Sequence, residues 1–150
     1  MNSFTGEIIG IDPGLMNGIA TFYGDGRPKG LGQLTLDEMV EWADSYEPEV
    51  SVLVVEDFVT FKKRALQQAG SRQHASQVIG LMKGFAKRKK AHLVLQPASI
   101  LDTAVKWSQV KMPSDHSISH QISAYNHAYY WMVNAGVIET KLVKEISREH

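Results

Sequence analysis

Short apolar runs near the N-terminus predict a β-hairpin. The runs are EIIGID at 7–12 and GIATFYG at 18–24. Two turn-forming dipeptides lie between them, PG at 13–14 and NG at 17–18, and such dipeptides favour tight connections between strands. A third, weaker strand is predicted near 29–34.

Two later runs have the pattern of strands inside an α/β sheet. SVLVVEDF at 51–58 is almost continuously apolar and β-branched, which is typical of a strand covered on both faces. AHLVLQP at 91–97 is predicted to be a second buried strand, ended by its proline. Strands that alternate with helices indicate the α/β class.

The first predicted helix has a clear start signal. Thr35 is followed three residues later by Glu38, the spacing of a capping box, and Pro48 should stop the helix. The apolar spacing predicts that this helix turns a set of side chains toward the core, namely Leu36, Met39, Val40, Trp42 and Ala43.

Three more helices are predicted in the second half of the chain. A long helix at 71–90 would begin with Ser71 as its cap, a short helix occupies 98–107, and another long helix runs from about 114 to 134 and ends before Gly136. The order of strands and helices therefore describes one α/β domain.

Length and composition agree with a single domain. The chain has 150 residues, of which 43% are hydrophobic, enough for one core. We expect the domain to span 1–136 and to be followed by a helical or frayed tail at 137–150. The absence of cysteine excludes disulfides and thiolate metal sites. No apolar run approaches a membrane span and no secretory signal is apparent, so we expect a cytoplasmic protein without a membrane partner.

Charge is segregated along the chain although the formal net charge is zero. Residues 1–57 hold eleven acids and two bases, residues 58–101 hold nine bases and no acid, and residues 102–150 hold five of each. This asymmetry predicts a polyanionic partner, although a solvated helix face would also account for it. The basic residues of the middle segment are Lys62, Lys63, Arg64, Arg72, Lys83, Lys87, Arg88, Lys89 and Lys90.

Two acids end apolar strands. Asp12 ends the first strand and Glu56 ends the central one, so parallel pairing would bring both carboxylates to the same edge of the sheet. Adjacent carboxylates repel each other unless a cation neutralises them, and Mg²⁺ prefers such oxygen ligands. Gly14 would leave room for a phosphate. The alternatives are that Asp12 caps the turn and that Glu56, beside Asp57, is an exposed acid at the strand end.

The last long helix carries a polar stripe. His116, His120, Ser123 and His127 are separated by four, three and four residues, which puts them on one helix face. The stripe is either a site or a solvent-exposed face, and His116 with His120 would also suit zinc if other ligands came from elsewhere. The apolar residues expected to face the core instead are Ile118, Ile122, Tyr125, Tyr129 and Met132.

Several of these segments occur together, in the same order, in one known family. The chain resembles a RuvC-type Holliday junction resolvase of the small bacterial or phage kind. The resemblance implies a ribonuclease H-like fold with a mixed five-stranded sheet flanked by helices. GIDPG alone is shared with other ribonuclease H-like proteins, whereas the ordered set is more specific. The matching segments, within about residues 6–135, are GIDPGLMNG at 10–18, VVEDF at 54–58, GSRQHASQVIGLMKGFAKRKK at 70–90, VLQPASILDTAVK at 94–106 and HQISAYNHAYYW at 120–131.

The resemblance also assigns roles to residues. Asp12 and Glu56 resemble the first two metal-binding carboxylates, and His120 matches the histidine of the family pattern HxxDA. Ser123 stands where that pattern has an acid, so the metal set lacks one negative charge and one strong oxygen ligand, which weakens the case for catalysis. Further residues that are candidates for supporting roles are Gly14, Asp115, Asn126 and His127.

The function implied is Mg²⁺-dependent hydrolysis of DNA phosphodiesters at four-way or other branched junctions, with Mn²⁺ able to substitute. His120 would also be a metal ligand and would position or deprotonate the attacking water, and the basic residues of the middle segment would follow phosphates. Phe58 and Phe61 would insert at the crossover or else pack internally. Symmetric cutting implies a homodimer, for which one apolar face of the long helix at 71–90 is a candidate interface, unless it covers the sheet: Val78, Ile79, Met82 and Phe85.

Three other functions stay open at this point. A junction-binding protein with a degenerate, inactive nuclease site would keep the basic segment, and Ser123 is its main support. A less specialised nuclease would cut flaps or hybrids as readily as junctions. An actin-like phosphotransferase would need a second glycine-rich phosphate loop and a second lobe, and a chain of this length and sequence offers neither.

Overall fold

The computed structural model describes residues 2–57 and 69–141, with the side chains of 69–73 left out. The strands are β1 (Glu7–Asp12), β2 (Asn17–Phe22), β3 (Pro28–Leu34), β4 (Val50–Glu56) and β5 (His92–Gln96). The helices are α1 (Leu36–Ser45), α2 (Ala69–Lys89), α3 (Leu101–Ser108), which follows a 3₁₀ turn, and α4 (Ser119–Asn134). Five residues with predicted roles in DNA binding therefore lie outside the described residues: Phe58, Phe61, Lys62, Lys63 and Arg64.

The five strands form one mixed sheet in the order β3-β2-β1-β4-β5. The first three strands pair antiparallel, whereas β4 pairs parallel to β1 and β5 pairs parallel to β4. This arrangement confirms the predicted hairpin and the predicted α/β class. It also places the carboxyl ends of β1, β4 and β5 at one edge of the sheet.

Each face of the sheet has its own core. On one face, Ile9, Ile11, Leu53 and Val55 pack with residues of α1 and α2. On the other face, residues that alternate with these, such as Ile8 and Val54, pack with α4, and Val137 from the predicted tail joins them. The side chains proposed as a dimer interface are buried in the first core and cover the sheet instead: Val78, Ile79, Met82 and Phe85.

Helix α1 begins as the sequence predicts. The Thr35 hydroxyl accepts a hydrogen bond from the backbone of Glu38, and the Glu38 carboxylate accepts one from the backbone of Thr35. Met39 and Ala43 are buried, but Val40 is 41% exposed, so its predicted core position is wrong. Val40 lies about 100° around the helix from Met39, outside the buried stripe.

Two other expectations about burial and helix ends are corrected. The predicted buried strand β5 is an edge strand, mostly half-exposed or exposed, with only Gln96 buried, because no strand within residues 2–57 and 69–141 pairs with its outer side. Ala69 and Gly70 are already helical, so Ser71 lies inside helix α2 and is not its cap.

Helix α4 begins at Ser119, later than the predicted position near 114. The Asp115 carboxylate accepts a hydrogen bond from the Ser117 backbone N–H, which stabilises a turn before the helix. Ile118, predicted to face the core, is 41% exposed because it precedes the helix.

Helix α4 lies unusually close to strands β1 and β2. A Cβ atom at Gly10 would lie 2.2 Å from the Ala124 carbonyl oxygen, and one at Gly18 would lie 1.9 Å from that of His120. Only glycine permits this approach, because any side chain would clash with helix backbone. The contact fixes the height of α4 above the sheet. Among the described helices, none has the length and hydrophobicity to cross a bilayer.

Candidate active site

Two buried carboxylates lie side by side at the carboxyl ends of β1 and β4. Ile11 pairs with Val55 in the parallel ladder, so the next residues, Asp12 and Glu56, leave the sheet together and point toward the face covered by α4. They are 8% and 6% exposed, respectively. The structure therefore brings together the two acids that the sequence singled out.

The electrostatic environment of Asp12 is unfavourable for its charged form. Burial raises the pKa of Asp12 from 3.8 to about 7; the hydrogen bond with His120 opposes this shift, and the Glu56 charge adds to it. Like charges held in a site of low dielectric constant disfavour ionisation in this way. A cation placed between the two carboxylates would remove the conflict.

His120 approaches Asp12 from the first turn of α4. Its Nδ1 lies 3.3 Å from Asp12 Oδ2, and its side chain is 37% exposed. The Asp12 contact raises the pKa of His120, while partial burial lowers it. His120 is therefore both bound to a buried carboxylate and accessible from solvent.

Gln33 of β3 positions this part of α4, a role that no local pattern in the sequence predicts. Its Oε1 accepts hydrogen bonds from the backbone N–H groups of His120 at 3.1 Å and Gln121 at 3.2 Å. Its Nε2 donates to the Ser117 carbonyl at 2.6 Å. Because α4 has no side-chain cap of its own, Gln33 satisfies two of the free N–H groups at its start.

Ser123 lies on the same helix face, one turn after His120. Its side chain is buried, and its Oγ has no hydrogen-bond partner within the described part of the chain. A buried hydroxyl without a partner is uncommon and energetically costly. The orphaned oxygen indicates that this position suits a ligand that brings its own hydrogen bonds or charge.

His127, one further turn along α4, contacts the second carboxylate. Its Nε2 lies 3.2 Å from Glu56 Oε1 and its side chain is fully buried. Gln96, which pairs with Glu56 across β4 and β5, contacts His127 from the other side. The helix thus brings His120 into contact with Asp12 and His127 into contact with Glu56. Ser123 lies between the two histidines along the helix.

The structure does not bring the other supporting candidates into contact with the carboxylates. The Asn126 amide is buried and bonds to Ser108, Val110 and Ile122. Asp115 is exposed, and hydrogen bonding to Ser117 lowers its pKa.

Two further candidates, His116 and Gly14, lie in segments outside the helices. His116 is exposed and precedes α4, so it does not form the helical pair with His120 that a zinc site would use. The Gly14 N–H donates to Asn17 Oδ1 at 3.0 Å, so it is already occupied within the turn.

Lys83, Lys87, Arg88 and Lys89 lie on α2 and Lys90 follows it, at the edge of the sheet opposite the carboxylates, whereas the side chain of Arg72 lies outside the described part of the chain. Arg88 donates to the Ala43 carbonyl at 3.3 Å, and Lys89 donates to those of Tyr46 and Pro48 at 2.5 and 3.1 Å. These two cations therefore stabilise the end of α1. Lys83, Lys87 and Lys90 are exposed.

The donor set fits a hard divalent cation only in part. Two buried carboxylates and an orphaned hydroxyl are oxygen ligands of the kind Mg²⁺ takes. In the arrangement observed, however, each carboxylate contacts a histidine, and no group of three or more His, Cys, Asp or Glu in the described ranges is ready to hold a metal. Asp12 and Glu56 are the residues that would hold Mg²⁺, with water completing its coordination.

Comparisons with known proteins identify the fold. The sequence matches no protein-family model and no curated protein. The solved structure of T. thermophilus RuvC in complex with Holliday junction substrate is similar, with a TM-score of 0.60 and 14% identity over 89% of this chain and 99% of that chain. A second Thermus thermophilus RuvC structure gives a TM-score of 0.53 and 13% identity over the same shares.

The mixed sheet with helices on both faces has a ribonuclease H-like α/β architecture. Within that class the chain has a RuvC-like fold, as the ordered sequence segments predicted.

Proposed function

We propose that this protein is a metal-dependent endonuclease that hydrolyses phosphodiester bonds in branched DNA, with four-way junctions as the preferred substrate. The observation that carries the proposal is the pairing of Asp12 and Glu56, buried side by side at the ends of parallel strands. The likeness in fold to a RuvC described in complex with a Holliday junction substrate supports the choice of DNA.

The raised pKa of Asp12 supports a role in cation binding. A carboxylate that stays partly protonated near neutral pH in the free protein becomes fully charged when a cation approaches, because metal ligands must be deprotonated. A Mg²⁺ ion held here would polarise a phosphate oxygen and acidify a water molecule. Mn²⁺ is expected to substitute, because it also accepts oxygen ligands.

His120 is proposed to handle the proton of the attacking water. When Nδ1–H donates to Asp12 Oδ2, Nε2 carries the lone pair and can accept a proton. The partial exposure of the ring gives water access to it. Asp12 holds the ring in this orientation and stabilises the imidazolium that forms.

DNA binding and dimerisation are proposed from charge and from the symmetry of the substrate. The excess of nine bases over residues 58–101 suits contacts to phosphates, and the exposed Lys83, Lys87 and Lys90 belong to it. A four-way junction has two equivalent cutting positions, so a two-fold homodimer would match its symmetry. With the apolar face of α2 buried against the sheet, the interface would use other surfaces.

A second function deserves a direct test because of Ser123. A neutral residue at this buried position removes a charge from the proposed cation site, which favours a protein that binds junctions without cutting them. Such a protein would keep structure-specific binding but show no cleavage with either Mg²⁺ or Mn²⁺.

The deciding experiment is a gel assay with synthetic four-way junction, flap and duplex DNA, each with Mg²⁺, Mn²⁺ or EDTA. We expect metal-dependent cleavage that is strongest on the four-way junction. Equal cleavage of flaps would indicate a less specialised nuclease. Binding without cleavage in any metal would favour the junction-binding alternative.

A further inference from the structure

The buried contact between His127 and Glu56 has no assigned role, and its hydrogen bonds define the state of the imidazole ring. Gln96 Nε2 lies 3.0 Å from the His127 backbone carbonyl oxygen and 3.0 Å from His127 Nδ1. A carbonyl oxygen can only accept, so the Gln96 atom that faces it must be the NH₂ group. This settles the orientation of the amide.

The same amide then fixes the tautomer of His127. The NH₂ group has a second hydrogen, which points to Nδ1, and Nδ1 must carry a lone pair to accept it. The ring proton is therefore on Nε2. Since Nε2 lies 3.2 Å from Glu56 Oε1, this proton is donated to the carboxylate.

The backbone makes the three residues a rigid unit. Glu56 and Gln96 are register partners on β4 and β5, and the Asp57 N–H donates to the Gln96 carbonyl at 2.7 Å. His127 is fully buried on a helix that the two glycines hold against the sheet. Moving β4, β5 or α4 so as to separate the three side chains would break backbone hydrogen bonds or core contacts.

We propose that His127 is a positioning residue for Glu56, and that Gln96 holds His127 in the Nε2–H form required for this role. The proposal rests on the nuclease function proposed above. A carboxylate that binds a metal needs one oxygen fixed and the other directed to the ion, and hydrogen bonds from neighbouring side chains provide this orientation. The simpler alternative is a core histidine that contributes to stability alone.

The first test examines the ring without metal or DNA. Protein labelled with ¹⁵N-histidine is studied by long-range ¹H–¹⁵N correlation, and the signals of His127 are assigned from their loss in His127→Gln. We expect the Nε2–H tautomer in the wild-type protein and a mixture of tautomers in Gln96→Leu. A wild-type His127 in the Nδ1–H form would overturn the proposal.

The second test separates positioning from stability. His127→Gln retains a donor near the position of Nε2, whereas His127→Leu removes it. We expect His127→Leu to weaken Mn²⁺ binding and lower kcat by about 10- to 100-fold with an unchanged KM for DNA, and His127→Gln to stay within about threefold of wild type. His92→Gln, at an exposed position at the far end of β5, is the matched control.

The outcomes distinguish the possible failures. If both His127 variants lower the melting temperature but bind Mn²⁺ as the wild type does, His127 is structural only and the proposal is wrong. If His127→Leu does not fold, Gln96→Leu takes its place, with weaker Mn²⁺ binding expected and unchanged binding contradicting the proposal. A wild-type protein with the Nε2–H tautomer that neither binds Mn²⁺ nor cuts DNA would overturn the nuclease function and the metal-positioning role together, while leaving the Gln96–His127 contact established.

Discussion

The first strand of the sheet carries a buried acid at each end, and the two acids have opposite surroundings. Glu7 and Asp12 are each 8% exposed. Glu7 contacts Lys29 Nζ at 2.5 Å and accepts a hydrogen bond from the Tyr46 hydroxyl. Asp12 faces another carboxylate, Glu56, and a single histidine.

The difference contrasts an acid paired with a lysine and an acid that lies beside a second carboxylate. At the Glu7 end the chain supplies its own cation, and burial together with Glu7 raises the pKa of Tyr46, so that the phenol remains a donor. At the Asp12 end two buried carboxylates lie side by side, and each contacts a histidine. The function proposed above explains this pairing as a place for an external cation, because two buried carboxylates side by side repel each other.

The largest effect is expected from removing a charge at the Asp12 end. Asp12→Asn or Glu56→Gln should reduce junction cleavage by on the order of a thousandfold, because each variant removes a metal ligand. Junction binding should be retained or become tighter, as measured by gel shift without metal. Loss of binding in parallel with cleavage would argue against a metal role.

A matched change at the Glu7 end should affect stability instead. Lys29→Met leaves a buried carboxylate without its cation and should lower the free energy of unfolding by about 2–3 kcal/mol, measured by urea denaturation. Arg27→Met is the control, because its ion pair with Asp25 is exposed and should contribute little to the free energy of unfolding. Similar losses in both variants would contradict the comparison.

The Asp12 end should become more stable when its charge is removed. Because the pKa of Asp12 is about 7 in the folded protein and ordinarily 3.8, the folded state retains the proton longer than the unfolded chain does. The free energy of unfolding therefore falls as pH rises from about 4 to 7. Without metal, Asp12→Asn should gain about 1–2 kcal/mol near pH 9 and nothing near pH 4. A gain that does not depend on pH would contradict this explanation.

Adding an acid to the site should increase its affinity for a cation. Ser123→Asp is expected to strengthen Mg²⁺ binding and raise cleavage by about tenfold, while lowering the melting temperature of the metal-free protein. Ser123→Asn is the control, because asparagine has a volume similar to that of aspartate but carries no charge. Reduced cleavage in Ser123→Asp would show that another ligand already serves the position.

The smallest effect is expected at the exposed bases near the Glu7 end of the sheet. Replacing Lys87 and Lys90 by Gln should reduce the slope of log K against log salt by about 1 to 2, as measured by titration of labelled junction DNA. Lys89→Gln is unsuitable here because Lys89 bonds to the end of α1. An unchanged slope would remove both lysines from the DNA interface.

Local sequence signals predicted most of the sheet and the position of the two acids. The hairpin dipeptides, the capping box and the β-branched run each depend on neighbouring residues only, and the structure contains the corresponding elements. The convergence of Asp12 and Glu56 followed from one inference, that their strands pair in parallel.

What the sequence did not reveal depends on contacts between distant segments. Gln33 is 87 residues from His120 and Gln96 is 31 residues from His127, so no local pattern connects them. The start of α4 depends on both kinds of contact, since Asp115 holds a local turn before the helix and Gln33 of β3 accepts from N–H groups in its first turn. The exposure of β5 depends on its place at the edge of the sheet formed by the described strands, and a local apolar run does not reveal that place.

The two glycines beneath α4 couple both halves of the site. Gly10 and Gly18 contact the backbone of α4 directly, with no side chain between. Because His120 and His127 both lie on α4, this contact sets the position of both residues. A methyl group at either glycine would tilt α4 or move it away from the sheet. Both imidazole rings would then shift together with the helix. The distances between the acids and their histidines therefore depend on the missing Cβ atoms of Gly10 and Gly18.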